Sequence, residues 1–85
     1  MKRISYDNLK NKSVKIIDVQ DKYEFNLSHI EGSINIPYDE LMSNYKNYLN
    51  KNELYYITCK KGHLSKRVVS VLDYLGYNVV MLERN

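Results

Sequence analysis

The chain has 85 residues, 44% of them apolar and 27% charged, enough for one compact core and close to the balance of ordinary folded proteins rather than disordered ones. A net charge of +3, with no long basic run or stripe, gives no support for nucleic acid as a partner. No window approaches the roughly 18 consecutive apolar residues of a membrane span, and the polar residues Ser5, Asp7, Asn8 and Lys10 interrupt any signal-peptide core after Met1-Lys2-Arg3. The single cysteine, Cys59, forms no internal disulfide, which fits a reducing, cytoplasmic setting and leaves one thiol to explain. The expectation is a single domain over residues 1–85, without a membrane contact.

In chain order, the β-branched run Val14-Lys15-Ile16-Ile17-Asp18-Val19 predicts a buried strand. Asp21 is placed to cap a short helix over residues 22–27, with Glu24 at the capping-box position. Ser33-Ile34-Asn35-Ile36 reads as a second strand ended by Pro37, which has no N–H for a sheet ladder. Asp39 is the expected N-cap of the next helix, whose apolar face is Leu41, Tyr45, Tyr48 and Leu49. Leu54-Tyr55-Tyr56-Ile57-Thr58 predicts a central strand buried on both sides, leading directly to Cys59. Val68, Val69, Leu72 and Leu75 form a helical stripe with Gly76 as its left-handed stop, and Asn78-Val79-Val80-Met81-Leu82 is the last strand. Strands alternating with helices imply α/β architecture, a mostly parallel sheet with helices on both faces.

The chemistry converges on the loop Cys59-Lys60-Lys61-Gly62-His63-Leu64-Ser65 between a strand and a helix expected to start near Ser65. Successive backbone N–H groups there are placed to cradle an anion, Gly62 permits a positive φ, and the helix directs its positive end at the cysteine. Nearby cations, Lys60, Lys61, His63, Lys66 and Arg67, add to a setting that favours a nucleophilic thiolate. Such a sulfur attacks an anionic sulfur donor and passes the acquired atom on, a covalent exchange that needs no metal or other cofactor. Each residue also has a structural reading: the cysteine as a small buried hydrophobe, the lysines as solvated charge, Gly62 as loop shape, and Asp18 and His29 as loop fasteners.

Four segments together resemble the single-domain rhodanese-like sulfurtransferases: Ile16-Ile17-Asp18-Val19, Tyr23-Glu24-Phe25, the stretch from His29 to Pro37, and Cys59 to Ser65. The resemblance implies a five-stranded sheet, a persulfide on Cys59, substrate contacts from Lys60, Lys61, Gly62, His63, Leu64 and Ser65, and thiosulfate or a similar small anionic sulfur donor. The implied acceptors are cyanide, a thiol or a partner protein. Two positions where the family often carries arginine hold Gln20 and Leu64, which removes a bidentate anion contact and implies weaker thiosulfate binding. The family's usual final helix is lacking after Glu83, so a thinly covered sheet edge, and with it a homodimer, is a further expectation. A non-catalytic or relay-only module is the alternative. A cysteine phosphatase or arsenate reductase is disfavoured, because the sixth residue after Cys59 is Ser65 and not an arginine able to clamp a tetrahedral oxyanion.

Overall fold

β-Branched runs set the middle of the sheet and short edge pairings complete it in the computed structural model, which describes residues 1–9 and 12–84. The elements in order are β1 (Arg3–Ser5), β2 (Ile16–Asp18), α1 (Lys22–Leu27), β3 (Ile34–Asn35), α2 (Tyr38–Tyr48), β4 (Leu54–Thr58), α3 (His63–Tyr74) and β5 (Asn78–Glu83). They form one five-stranded sheet in the order β1-β5-β4-β2-β3, with every pairing parallel. The strand β4 is central, as its composition predicts. No helix among the described residues is long and apolar enough to cross a membrane.

Right-handed crossovers assign the helices to faces. The connections through α2 and α3 step across the sheet in one direction and the connection through α1 steps in the other, so α1 lies on the opposite face. Two separate cores agree with this. Ile17, Val19, Tyr55, Ile57, Val79 and Met81 pack with Leu41 of α2 and Val68, Val69 and Leu72 of α3. Ile16 and Leu82, from the alternate positions of β2 and β5, pack instead with Leu9, Ile30, Ile4 and Tyr6.

Capping chemistry explains two of the helix boundaries. Asp21 accepts from the Glu24 N–H at 2.8 Å and starts α1. The Gly76 N–H donates to Asp73 O at 3.0 Å and the Tyr77 N–H to Leu72 O at 2.9 Å, the paired bonds of a Schellman stop, with Gly76 at φ +93°.

Several sequence expectations shift. Helix α2 begins at Tyr38 with Pro37 as its N-cap, not Asp39, because the fixed φ of proline suits the helix entry. Asn44 breaks the regular α2 backbone at φ −136°, which takes Tyr48 out of the apolar stripe. Tyr48 stays exposed and its hydroxyl donates to Glu40 Oε2 at 2.8 Å. Strand β3 is only two residues long. Burial of β4 on the α1 face is incomplete, since Leu54 is exposed.

Candidate functional site

Strands β2 and β4 are neighbours, yet the helices that follow them leave for opposite faces of the sheet. That divergence opens a crevice at their carboxyl ends, the usual place for ligands in an open parallel sheet. A cleft of about 270 Å³ lies there, lined by Gln20, Glu24, Cys59, Lys60, Lys61, His63 and Leu64.

Cys59 follows β4 directly, and although only 5% exposed it lines the cleft. Its sulfur receives the Gly62 N–H at 3.1 Å and the Ser65 N–H at 3.3 Å. The thiol in turn donates to Ser65 Oγ at 3.4 Å, and that hydroxyl donates to Gly62 O at 3.3 Å. Helix geometry explains the donors. Gly62 is the N-cap of α3 at φ +84° and the helix runs from His63, two residues earlier than the expected start near Ser65. The N–H groups of Gly62, His63, Leu64 and Ser65 therefore have no intrahelical acceptor. Two of them are turned onto the sulfur, and the other two belong to residues that line the cleft. The dipole of α3 adds positive potential at the same point.

The predicted site residues are thus gathered, but not equivalently. Ser65 is completely buried under the sulfur, whereas Lys60, Lys61, His63 and Leu64 are exposed around it. The expected ring of amides narrows to two donors on the sulfur itself.

Sequence reasoning missed the facing wall. Gln20 enters it from the turn after β2, where the Asp18 carboxylate, fully buried, accepts from the Gln20 N–H at 2.9 Å and from Gln20 Nε2 at 2.8 Å. Asn35 Nδ2 fastens the same turn through Asp18 O at 3.0 Å and Gln20 O at 2.9 Å. Glu24 comes from the first turn of α1 and completes only half of the expected capping box: its N–H is capped by Asp21, while its carboxylate has no hydrogen bond or ion pair among the described residues. The only sequence signal for this wall was the departure at Gln20. His29 serves α1 instead, contacting Phe25 O through Nδ1 at 2.6 Å and stacking on the Phe25 ring. Among the described residues no cluster of histidine, cysteine or carboxylate side chains would hold a metal.

Comparisons with known proteins agree with this architecture. The uba4 protein of Sclerotinia sclerotiorum, an adenylyltransferase and sulfurtransferase, is 33% identical over 82 residues, which covers 84% of this chain and 18% of that protein. The putative sulfur carrier protein YrkF of Bacillus subtilis is 31% identical over 71 residues, covering 84% of this chain and 38% of its own length. The chain therefore spans well under half of these curated relatives. Among solved structures, SSP1007 of Staphylococcus saprophyticus superposes with a TM-score of 0.87 at 38% identity, covering 98% of this chain and 87% of that one. A rhodanese-like domain protein of Staphylococcus aureus gives a TM-score of 0.83 at 36% identity, with 98% and 85% covered. A family model described as the rhodanese-like domain matches residues 4–84. With the family model spanning nearly the whole chain and solved relatives sharing its architecture, the chain belongs to the rhodanese-like domain family.

Proposed function

We propose that this protein is a sulfurtransferase in which Cys59 carries a sulfane sulfur as a persulfide. The observation that supports this most directly is the pair of backbone N–H groups, Gly62 and Ser65, donating to Sγ beside an open cleft. Fixed donors of this kind stabilise negative charge on sulfur in both the thiolate and the state that re-forms when sulfur is handed on. Ionisation also frees the Ser65 hydroxyl to turn its hydrogen from Gly62 O to the sulfur.

In the first step the Cys59 thiolate attacks the outer sulfur of a donor such as thiosulfate. A new S–S bond forms, the donor's S–S bond breaks, and sulfite leaves with the electron pair. The persulfide then lies at the mouth of the α3 N-terminus, where the N–H groups of His63 and Leu64 are unspent, and Lys60, Lys61 and His63 contribute positive charge. A cyanide, thiol or protein acceptor attacks the terminal sulfur and returns the Cys59 thiolate. A reducing compartment such as the cytoplasm keeps that thiol available. Ser65, buried and hydrogen-bonded, supplies no cationic clamp for a tetrahedral phosphate, which favours sulfur over phosphorus chemistry.

The test is intact mass spectrometry after thiosulfate or polysulfide treatment. The native protein gains one sulfur atom and releases it to cyanide, and Cys59→Ser does neither. A native protein that stays unmodified under every donor removes the assignment.

A further inference from the structure

The Cys59 loop gives one side of the cleft its donors and positive charge, but the facing wall has the opposite character. Gln20 is 3% exposed, and its Nε2 is used twice, by Asp18 Oδ2 at 2.8 Å and by Ser28 O at 3.3 Å. A carboxylate and a peptide carbonyl only accept, so these two contacts fix the amide's orientation and occupy both of its protons. The remaining atom, Oε1, has no hydrogen bond among the described residues. Nor does it belong to the polar side-chain atoms sealed from solvent without a partner, which among the described residues are Thr58 Oγ1 and Arg84 Nη1. Oε1 is therefore reached by solvent, and Gln20 is one of the residues that line the cleft. Glu24 lines the same cleft, and its carboxylate has no hydrogen bond or ion pair among the described residues.

Two hydrogen-bond acceptors, one of them anionic, make a poor seat for the sulfonate end of thiosulfate and a good one for N–H groups. Resting on the reading of Cys59 as the sulfur carrier, we infer that the thiol exchanging sulfur with Cys59 is a cysteine-like aminothiol, whose ammonium or amide N–H is received by Glu24 and Gln20 Oε1. The charges across the cleft suit the two ends of cysteine itself, its ammonium towards Glu24 and its carboxylate towards Lys60 and Lys61. A cleft of about 270 Å³ falls just below the roughly 300–1,000 Å³ of ordinary small-ligand pockets, which suits a molecule of this size. In the exchange, the aminothiolate attacks the terminal sulfur of the Cys59 persulfide and forms the new S–S bond. The Cys59 S–S bond breaks, its electron pair stays on Sγ under the Gly62 and Ser65 N–H groups, and the aminothiol leaves as a persulfide; donation is the reverse.

The test loads Cys59 with inorganic polysulfide, removes the excess, and follows single-turnover discharge by intact mass with two thiols of equal length. Cysteamine carries an ammonium two carbons from sulfur, and 3-mercaptopropionate carries a carboxylate there. The ratio of their rates is compared between the native protein, Glu24→Gln and Glu24→Lys, so that the intrinsic reactivity of each thiol cancels. Glu24 is exposed, and thermal melting verifies that both variants are folded. Glu24→Gln is expected to lower the cysteamine preference about twofold to fivefold, the worth of one exposed charge pair, and Glu24→Lys to lower it further. N-acetylcysteamine separates the sources: persistent dependence on Glu24 points to a peptide-borne cysteine, and its loss points to the free aminothiol. A ratio unchanged in both variants overturns the inference while leaving the persulfide reading intact; failure of Cys59 to hold sulfur overturns both.

Discussion

Gly62 joins the cysteine to α3 and is held from both sides. Its N–H donates to Cys59 Sγ at 3.1 Å, and its carbonyl accepts from the Lys66 N–H at 3.1 Å and from Ser65 Oγ at 3.3 Å. Its φ of +84° cannot relax without losing some of these bonds. In Gly62→Ala the left-handed backbone costs about 1–2 kcal/mol for an L-residue. The new Cβ would stand 3.2 Å from Met81 Cε, the end of a flexible side chain able to shift by the few tenths of an ångström required. The backbone cost therefore dominates. At about 4–8 °C per kcal/mol for a domain of this size, melting should fall by roughly 4–16 °C. Gly76→Ala is the control: φ is +93° and the nearest atom to a new Cβ is Lys51 Nζ at 3.6 Å, an ordinary contact, remote from the sulfur loop in the fold. Both variants should lose similar stability in urea titrations, but only Gly62→Ala should slow alkylation of Cys59 by iodoacetamide, because easing the backbone turns its N–H away from sulfur. The reasoning is refuted if Gly62→Ala unfolds within about 0.5 kcal/mol of the native protein, or if Gly76→Ala slows alkylation equally.

Two further outcomes test the frame around the site. Leu72 is fully buried in the core shared by α3, β4 and β5, so Leu72→Ala should cost about 2–5 kcal/mol in urea denaturation; a cost below about 1 kcal/mol would show that core to be loosely packed. Lys15 Nζ donates to Glu53 Oε1, tying the approach to β2 to the approach to β4, and this bond lowers the Glu53 pKa and raises that of Lys15. A depressed carboxyl contributes stability above its unfolded-state pKa and loses it as pH falls through the folded one. A raised lysine contributes below its unfolded-state pKa and loses it as pH rises through the folded one. The stability difference between the native protein and Glu53→Gln should thus form a plateau at neutral pH that shrinks at both ends. Since both groups are exposed, 1 M salt should flatten the plateau; a difference independent of pH and salt would contradict the pairing.

How far the sequence could be read depended on whether a signal was local. The α3 stripe of Val68, Val69 and Leu72, and its stop at Gly76, rest on spacing and glycine chemistry within one helix, and both match the structure. The run from Val14 to Val19 contains β2, shortened to Ile16–Asp18, and the Asp21 cap stands where its spacing placed it. Strand β1 carried no such signal. Arg3–Ser5 shows no usable alternation and is a strand only because Met81–Glu83, at the other end of the chain, pairs with it. The exposure of Tyr48 turns on the break at Asn44, which no periodicity announces. At the site, the Cys59 loop was legible as a strand, glycine and helix start in succession. Its facing wall was not, because Gln20 and Glu24 meet the loop only through the register of β2 against β4.

That register determines the chemistry as much as the loop does. Asp18 pairs with Thr58, and the Val19 N–H donates to Thr58 O at 2.9 Å, so the chain leaves both strands at the same level and Gln20 emerges beside Cys59. Asp18 then holds Gln20, and Asn35 on β3 holds the turn that carries it. Three adjacent strands thereby fix an acceptor wall opposite a donor loop. Because side chains alternate between sheet faces, a one-residue slip of β4 would send Cys59 to the α1 face and away from the start of α3. Ile57 and Tyr55, buried on the same face as Cys59, oppose that slip by the apolar area it would expose. The hydrophobic pattern of β4 therefore aims the sulfur, and the amides of α3 act on it only because the sheet delivers it there.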